Sequence, residues 1–224
     1  MDVQFWLTTF KNDTAFFRTR FKGLALFDES KFLGKTWFNK ADICDVASFK
    51  NAEFDNEVYF IAAKPEGPIF LEKSTFKLIG SKEAAYRFAK LAFESLGDRE
   101  KADCCFYQEM AAKRTQKLEM FSYPEFIVAQ LVFGYGVKPA RTFFCWLFVI
   151  FSYAIAYYNL QSLKDENSFS SYLFFSLYNS ISPGFNSFTL KTSFDQLLAG
   201  SEAIIGTFLL AAFVVIFARK YMRS

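Results

Sequence analysis

From Phe10 to Phe60 a large apolar residue recurs at separations alternating between six and five: Phe10, Phe16, Phe21, Phe27, Phe32, Phe38, Ile43, Phe49, Phe54 and Phe60. Two positions before each stands a small or β-branched residue: Thr8, Thr14, Thr19, Ala25, Ser30, Thr36, Ala41, Ala47, Ala52 and Val58. The combined period is eleven. On an α-helix, at ~100° per residue, steps of five and six would scatter the phenylalanines over the whole surface. Stacked short turns, each burying one large and one small side chain, fit the pattern, and self-similarity at a fixed period predicts a solenoid over residues 1–78. The inward positions are core and carry no ligand. Asp42, Asp45 and Asp55 read as solvated surface rather than a cation site.

Beyond residue 78 the period changes. Ser81–Leu96 carries apolar residues at helical spacing with Gly97 as a stop, and Asp98 caps a second helix from Arg99 to about Leu118. The two form a helical hairpin over 79–120. Pro124–Phe133 reads as a helix lying in a membrane interface or docked on the hairpin, and Gly134-Tyr135-Gly136 as the elbow that follows it, within a segment 121–141. Thr142–Leu160 then runs nineteen residues without a charge, about 28 Å of helix at ~1.5 Å per residue. Ala203–Ala218 is a second apolar run, extended to about Gly200 by the turn before it. Between them Asn167–Ser182 is aromatic and too short to cross a bilayer, and Ser182-Pro183-Gly184-Phe185-Asn186 has turn composition. A short helix that enters a membrane and returns as extended backbone must be buried in protein or line water. The expected order over 142–224 is span (142–160), short helix (167–182), turn (182–186), span (200–218).

Charge divides the chain in the same way. Residues 1–78 balance 11 Lys+Arg against 11 Asp+Glu, whereas 142–218 hold only Lys164 and Lys191 against Asp165, Glu166, Asp195 and Glu202. Lys138 and Arg141 precede the first span, and Arg219, Lys220 and Arg223 follow the second, which predicts cytoplasmic termini. No secretory pattern opens the chain, so residues 1–141 are expected to stay in the cytoplasm. Histidine is absent, which excludes His-dependent nucleophilic sites and removes the commonest metal ligand. Cys44, Cys104, Cys105 and Cys145 lack zinc or disulfide-framework spacing. No enzyme, metal or cofactor is expected.

The N-terminal pattern resembles pentapeptide-repeat proteins over about residues 5–78, degrading after Phe60 near Pro65 and Pro68. The resemblance implies a right-handed quadrilateral β-helix. Neutral charge argues against the nucleic-acid mimicry found in parts of that family, and the outer faces are open to a ligand or protein. Leu177–Ala218 with Arg219-Lys220 resembles the pore end of two-span potassium-channel-like proteins, and the connector resembles that of pentapeptide-repeat proteins fused to such modules. This implies a homotetramer in a prokaryotic inner membrane, multi-pass and in contact with lipid. The filter would be Ser182, Pro183, Gly184, Phe185 and Asn186, where Gly184 and Phe185 match the family pattern and Pro183 and Asn186 depart from it. A widened, weakly selective filter passing K+ and Na+ is therefore expected. Gly206, Leu210, Phe213 and Phe217 fall on one helix face and read as pore lining and gate, or else as packing against the first span. Glu202, an intramembrane carboxylate, is expected to brace the filter from behind. The alternative reading is a non-conducting, membrane-anchored scaffold whose solenoid binds a partner.

Overall fold

The computed structural model describes residues 2–115, 126–164, 168–183 and 188–222. The chain divides into two compact units, Met1–Glu125 and Phe126–Ser224.

In the first unit fourteen two-residue strands build four parallel sheets. One sheet runs β1 (Val3–Gln4), β5 (Ala25–Leu26), β9 (Ala47–Ser48), β13 (Ile69–Phe70), and a second runs β2 (Thr9–Phe10), β6 (Lys31–Phe32), β10 (Glu53–Phe54), β14 (Thr75–Phe76). The third and fourth are β3 (Thr14–Ala15), β7 (Thr36–Trp37), β11 (Val58–Tyr59), and β4 (Arg20–Phe21), β8 (Asp42–Ile43), β12 (Lys64–Pro65). Partners such as Val3 and Ala25, or Thr14 and Thr36, lie 22 residues apart, so two eleven-residue periods make one coil. Like side chains therefore stack at the strand spacing. Phe10, Phe32, Phe54 and Phe76 form a ladder with ring centroids 4.6, 4.7 and 4.9 Å apart. Phe16, Phe38 and Phe60 form another, at 4.9 and 5.2 Å, and Phe88 of the next element ends it at 4.5 Å.

Each coil turns two of its corners with a left-handed residue. Leu7, Arg18, Glu29, Lys40, Asn51, Ala62 and Lys73 have φ between 55 and 58° and recur every eleven positions. No glycine occupies these sites, so the cost of about 1 kcal/mol for a Cβ in this region is met by inter-coil hydrogen bonds such as Arg18 N–H to Asn39 O, 3.1 Å. The repeat does not stop where the sequence pattern fades. Pro65 sits in β12 opposite Ile43, and its neighbours Lys64 and Glu66 supply the N–H groups that bond to Ala41 and Ile43. The missing proline donor is not needed at that edge.

Helix α1 (Ile79–Ser95) closes the end of the solenoid and pairs with α2 (Arg99–Thr115), separated by Gly97 at φ 75°. Asp98 caps α2 by accepting from Lys101 N–H at 3.2 Å, as the sequence predicts. Glu109 is buried between the helices and accepts from Arg87 Nε at 3.1 Å and Lys90 Nζ at 2.8 Å. Burial alone would raise its pKa, but the hydrogen bonds from Lys90 and Arg87 outweigh burial and hold the carboxyl below its usual value. Burial likewise pushes the Cys105 thiol up to about 12, so it is an inert packing group.

The second unit contains α3 (Pro139–Leu160), α4 (Phe169–Ile181) and α5 (Ser193–Tyr221). Among the described residues, the helix expected over Pro124–Phe133 is a single π-helical turn, Phe126–Val132. Gly134, Tyr135 and Gly136 follow with φ of 52, 55 and 75°, a left-handed elbow as the sequence predicts. Arg141 Nη1 and Thr142 Oγ1 donate to the carbonyls of Gln130 and Val132, at 3.0 and 3.1 Å, and satisfy the end of the π turn. Both long helices start earlier than the apolar runs do. Pro139 is preorganised for the first turn of α3, and a Thr192/Asp195 capping box opens α5 at Ser193.

Candidate functional site

Helix α4 runs antiparallel to α3, and each turn of it bonds to a different level. Tyr172 meets Tyr158 near the C-terminal end of α3, Ser176 donates to the carbonyl of Ile150 at 2.8 Å, and Ser180 accepts from Trp146 Nε1 at 2.9 Å. The chain then comes back. Leu190 pairs with Leu163 in an antiparallel bridge, and Lys164 N–H donates to Thr189 O at 3.0 Å, so the excursion of α4 begins and ends beside the same end of α3. Ser162 Oγ donates to Asp195 at 2.7 Å, which ties this junction to the first turn of α5.

At the centre lies Glu202, with no exposed surface. It accepts from Tyr157 Oη of α3 at 2.8 Å, from Asn179 Nδ2 of α4 at 2.9 Å, and from the Ser176 hydroxyl of α4. Asn179 Nδ2 also donates to Ala199 O at 2.8 Å. One carboxylate thus joins three helices, and every polar partner is a neutral donor, the set an acceptor-only carboxylate requires. Tyr153 and Ser201 make a further link between α3 and α5, at 2.9 Å. Gly206 allows the closest approach, because a Cβ there would collide with Ser180.

The polarity of α4 is inverted relative to a surface helix of a soluble protein. Ser176, Asn179 and Ser180 are buried, while Phe174, Tyr178 and Ile181 are exposed. Phe144, Phe148, Phe151 and Ile155 of α3 and Leu197, Ile204, Phe208 and Val215 of α5 are exposed as well. Both α3 and α5 are long and apolar enough to cross a membrane.

The predicted gate face has a different surrounding from an open channel wall. Gly206 packs on Ser180, Leu210 joins a cluster with Trp146, Ile150 and Leu209, and the Phe213 ring lies 5.4 Å from Phe143. These three are turned toward their own α3 and α4. Phe217, 44% exposed, is the member left uncovered. Of the predicted filter, Ser182 N–H bonds to Tyr178 O at 2.8 Å and Pro183 is exposed, while Gly184, Phe185 and Asn186 lie outside the described residues. Tyr157, Ser176, Asn179 and Ser180 were not singled out by the sequence reading. The available signal was a polar stripe at i, i+3 and i+4 within an aromatic segment, Ser176, Asn179 and Ser180.

A family model described as pentapeptide repeats, in nine copies, matches residues 16–64. The N-terminal solenoid is built of pentapeptide repeats. That match lies within the first unit and covers no residue of 177–220. No curated protein and no solved structure matches the chain.

Proposed function

We propose that this chain is the subunit of a homotetrameric cation channel in a prokaryotic inner membrane, with a cytoplasmic pentapeptide-repeat domain and a weakly selective filter formed by residues 182–186. The supporting observation is the fixing of α4. At thirteen residues, or about 20 Å, it cannot span a bilayer, yet a buried carboxylate holds it between two helices that can. A membrane anchor has no use for such an element. The end of α4 directs the negative end of its dipole toward the turn that follows, where a cation would be stabilised. The segment between the spans holds Lys164 and Lys191 against Asp165, Glu166 and Asp195, net −1 per subunit and so about −4 in a tetramer, which would concentrate cations at the mouth.

Phe217 is the gate residue this reading favours, because Gly206, Leu210 and Phe213 are already covered within the subunit. The test is reversal potential in planar bilayers under opposed K+ and Na+ gradients, with Phe217→Ala and Phe213→Ala variants alongside. A reversal near zero, with cations preferred over chloride, and a leak raised about tenfold in Phe217→Ala only, are expected. Reversal at the K+ equilibrium potential would replace the widened filter with a selective one. The in-chain packing of the gate face favours one other reading, the non-conducting scaffold, and silence from all three proteins would establish it.

A further inference from the structure

The solenoid ends unevenly. In the sheet of β3, β7 and β11, each coil donates three N–H groups to the coil after it. Thr14, Phe16 and Arg18 donate to Lys35, Trp37 and Asn39, and Thr36, Phe38 and Lys40 donate to Glu57, Tyr59 and Ile61, all at 2.7–3.1 Å. The next three in the series are Val58, Phe60 and Ala62. Val58 N–H is met at 3.0 Å by Ser81 Oγ of α1, a side chain that replaces the missing strand. Phe60 and Ala62 N–H have no hydrogen-bond partner among the described residues. The edge of β13 differs, because Ile69 and Leu71 there are buried beneath the hairpin.

The unmatched donors open onto a cleft of about 420 Å³ between the last coil and α1. Ile61 forms one lip, 64% exposed, and Leu91 the other, 48% exposed, with Ala84 and Phe88 behind them. Two N–H groups two residues apart, beside an apolar slot, demand a particular ligand chemistry. An acyl chain has no acceptors, and a helix keeps its carbonyls for itself except in its last turn. Only an extended backbone presents carbonyls at alternate residues while directing the intervening side chain into a slot.

We infer that this edge docks an extended peptide segment of a partner protein, adding one strand after β11 and seating a Val, Ile or Leu side chain between Ile61 and Leu91. This inference concerns the solenoid alone and is independent of whether the second unit conducts. The probe is a phage library of random dodecapeptides, panned on the full chain in lipid nanodiscs and, in parallel, on an Ile61→Asp/Leu91→Asp variant. Both positions are exposed, so the variant should keep the wild-type circular dichroism, and that spectrum is recorded first. Expected are peptides rich in branched apolar residues that bind the wild type at least about tenfold more tightly than the variant. In hydrogen exchange the free chain should lose the Phe60 and Ala62 amide protons about 100-fold faster than those of Phe38 and Lys40, and a selected peptide should slow them. No enrichment over the variant, protection of Phe60 and Ala62 in the free chain, or selected peptides that leave these two amides unprotected would each overturn the inference.

Discussion

The two units solve the problem of holding short elements together in opposite ways. The solenoid repeats one solution: stacked rings and alanines, with backbone hydrogen bonds between adjacent coils and side-chain bonds at coil spacing such as Ser30 Oγ to Phe5 O and Ser74 Oγ to Phe49 O. No single side chain there touches more than its own coil and its neighbours, so stability is close to a sum of similar terms. The second unit has no repetition. Its short helix is held by a few buried polar contacts that converge on Glu202, and each partner depends on the others. A repetitive core spreads risk, while a convergent one concentrates it. Shape-conserving changes should therefore be mild in the first unit and severe in the second.

The largest expected effect breaks the convergent side. Glu202→Gln keeps the volume but turns an acceptor into a donor facing Asn179 and Tyr157. It should destabilise the second unit by about 3 kcal/mol in denaturant titration of detergent-solubilised protein followed by Trp146 fluorescence. A loss below about 1 kcal/mol would mean the network is not what holds α4. Next comes Phe38→Leu in the ring ladder, where a cost of about 1.5 kcal/mol is expected from circular dichroism melts. If it proved as costly as Glu202→Gln, the contrast between the units would be wrong. Thr36→Val should move the other way. Thr36 is fully buried and its hydroxyl has no partner, while Val58 already occupies the same rung one coil later. A gain of about 1 kcal/mol is expected in the same melts.

The hairpin supplies a pH test. The Glu109 carboxyl is depressed in the folded chain, so its contribution is fully present above the unfolded value, about 4.3, and disappears as pH falls through the folded one. The urea midpoint should drop as pH falls below about 4.3, and Glu109→Gln should flatten that drop. An unchanged slope in the variant would assign the acid sensitivity elsewhere. The smallest effect is Ala62→Gly at a left-handed corner, where removing a Cβ should stabilise by about 0.5 kcal/mol.

Much of this architecture was legible in the residues, for a reason that differs between the units. A solenoid writes its core into the chain at a fixed interval, so Phe21 to Phe54 could be assigned inward without knowing which coil met which. The sequence predicts a solenoid to residue 78, but the interval did not reveal which residues fill the rungs past Pro65, because the ladder needs a shape and a free edge there rather than a phenylalanine. In the second unit the long apolar runs were legible, and the position of Glu202 marked it as important. Its partners were not, because a serine or an asparagine in an aromatic segment has meaning only once three helices are brought together. The early start of α5 was hidden for a related reason. Lys191, Asp195 and Gln196 look like loop residues until Thr192 and Asp195 are read as a reciprocal cap.

The 22-residue coil also carries a geometric consequence for how such a chain can change length. Each five- or six-residue side advances the backbone by one wall of a four-walled column. Adding or deleting a whole coil would lengthen the column and leave the exit of the hairpin at the same azimuth. Adding or deleting a single side would rotate that exit by a quarter turn about the column axis, while every ring ladder downstream changed walls. The N-terminal domain is thus an angular index as well as a spacer, and viable insertions in it should come in multiples of a full circuit.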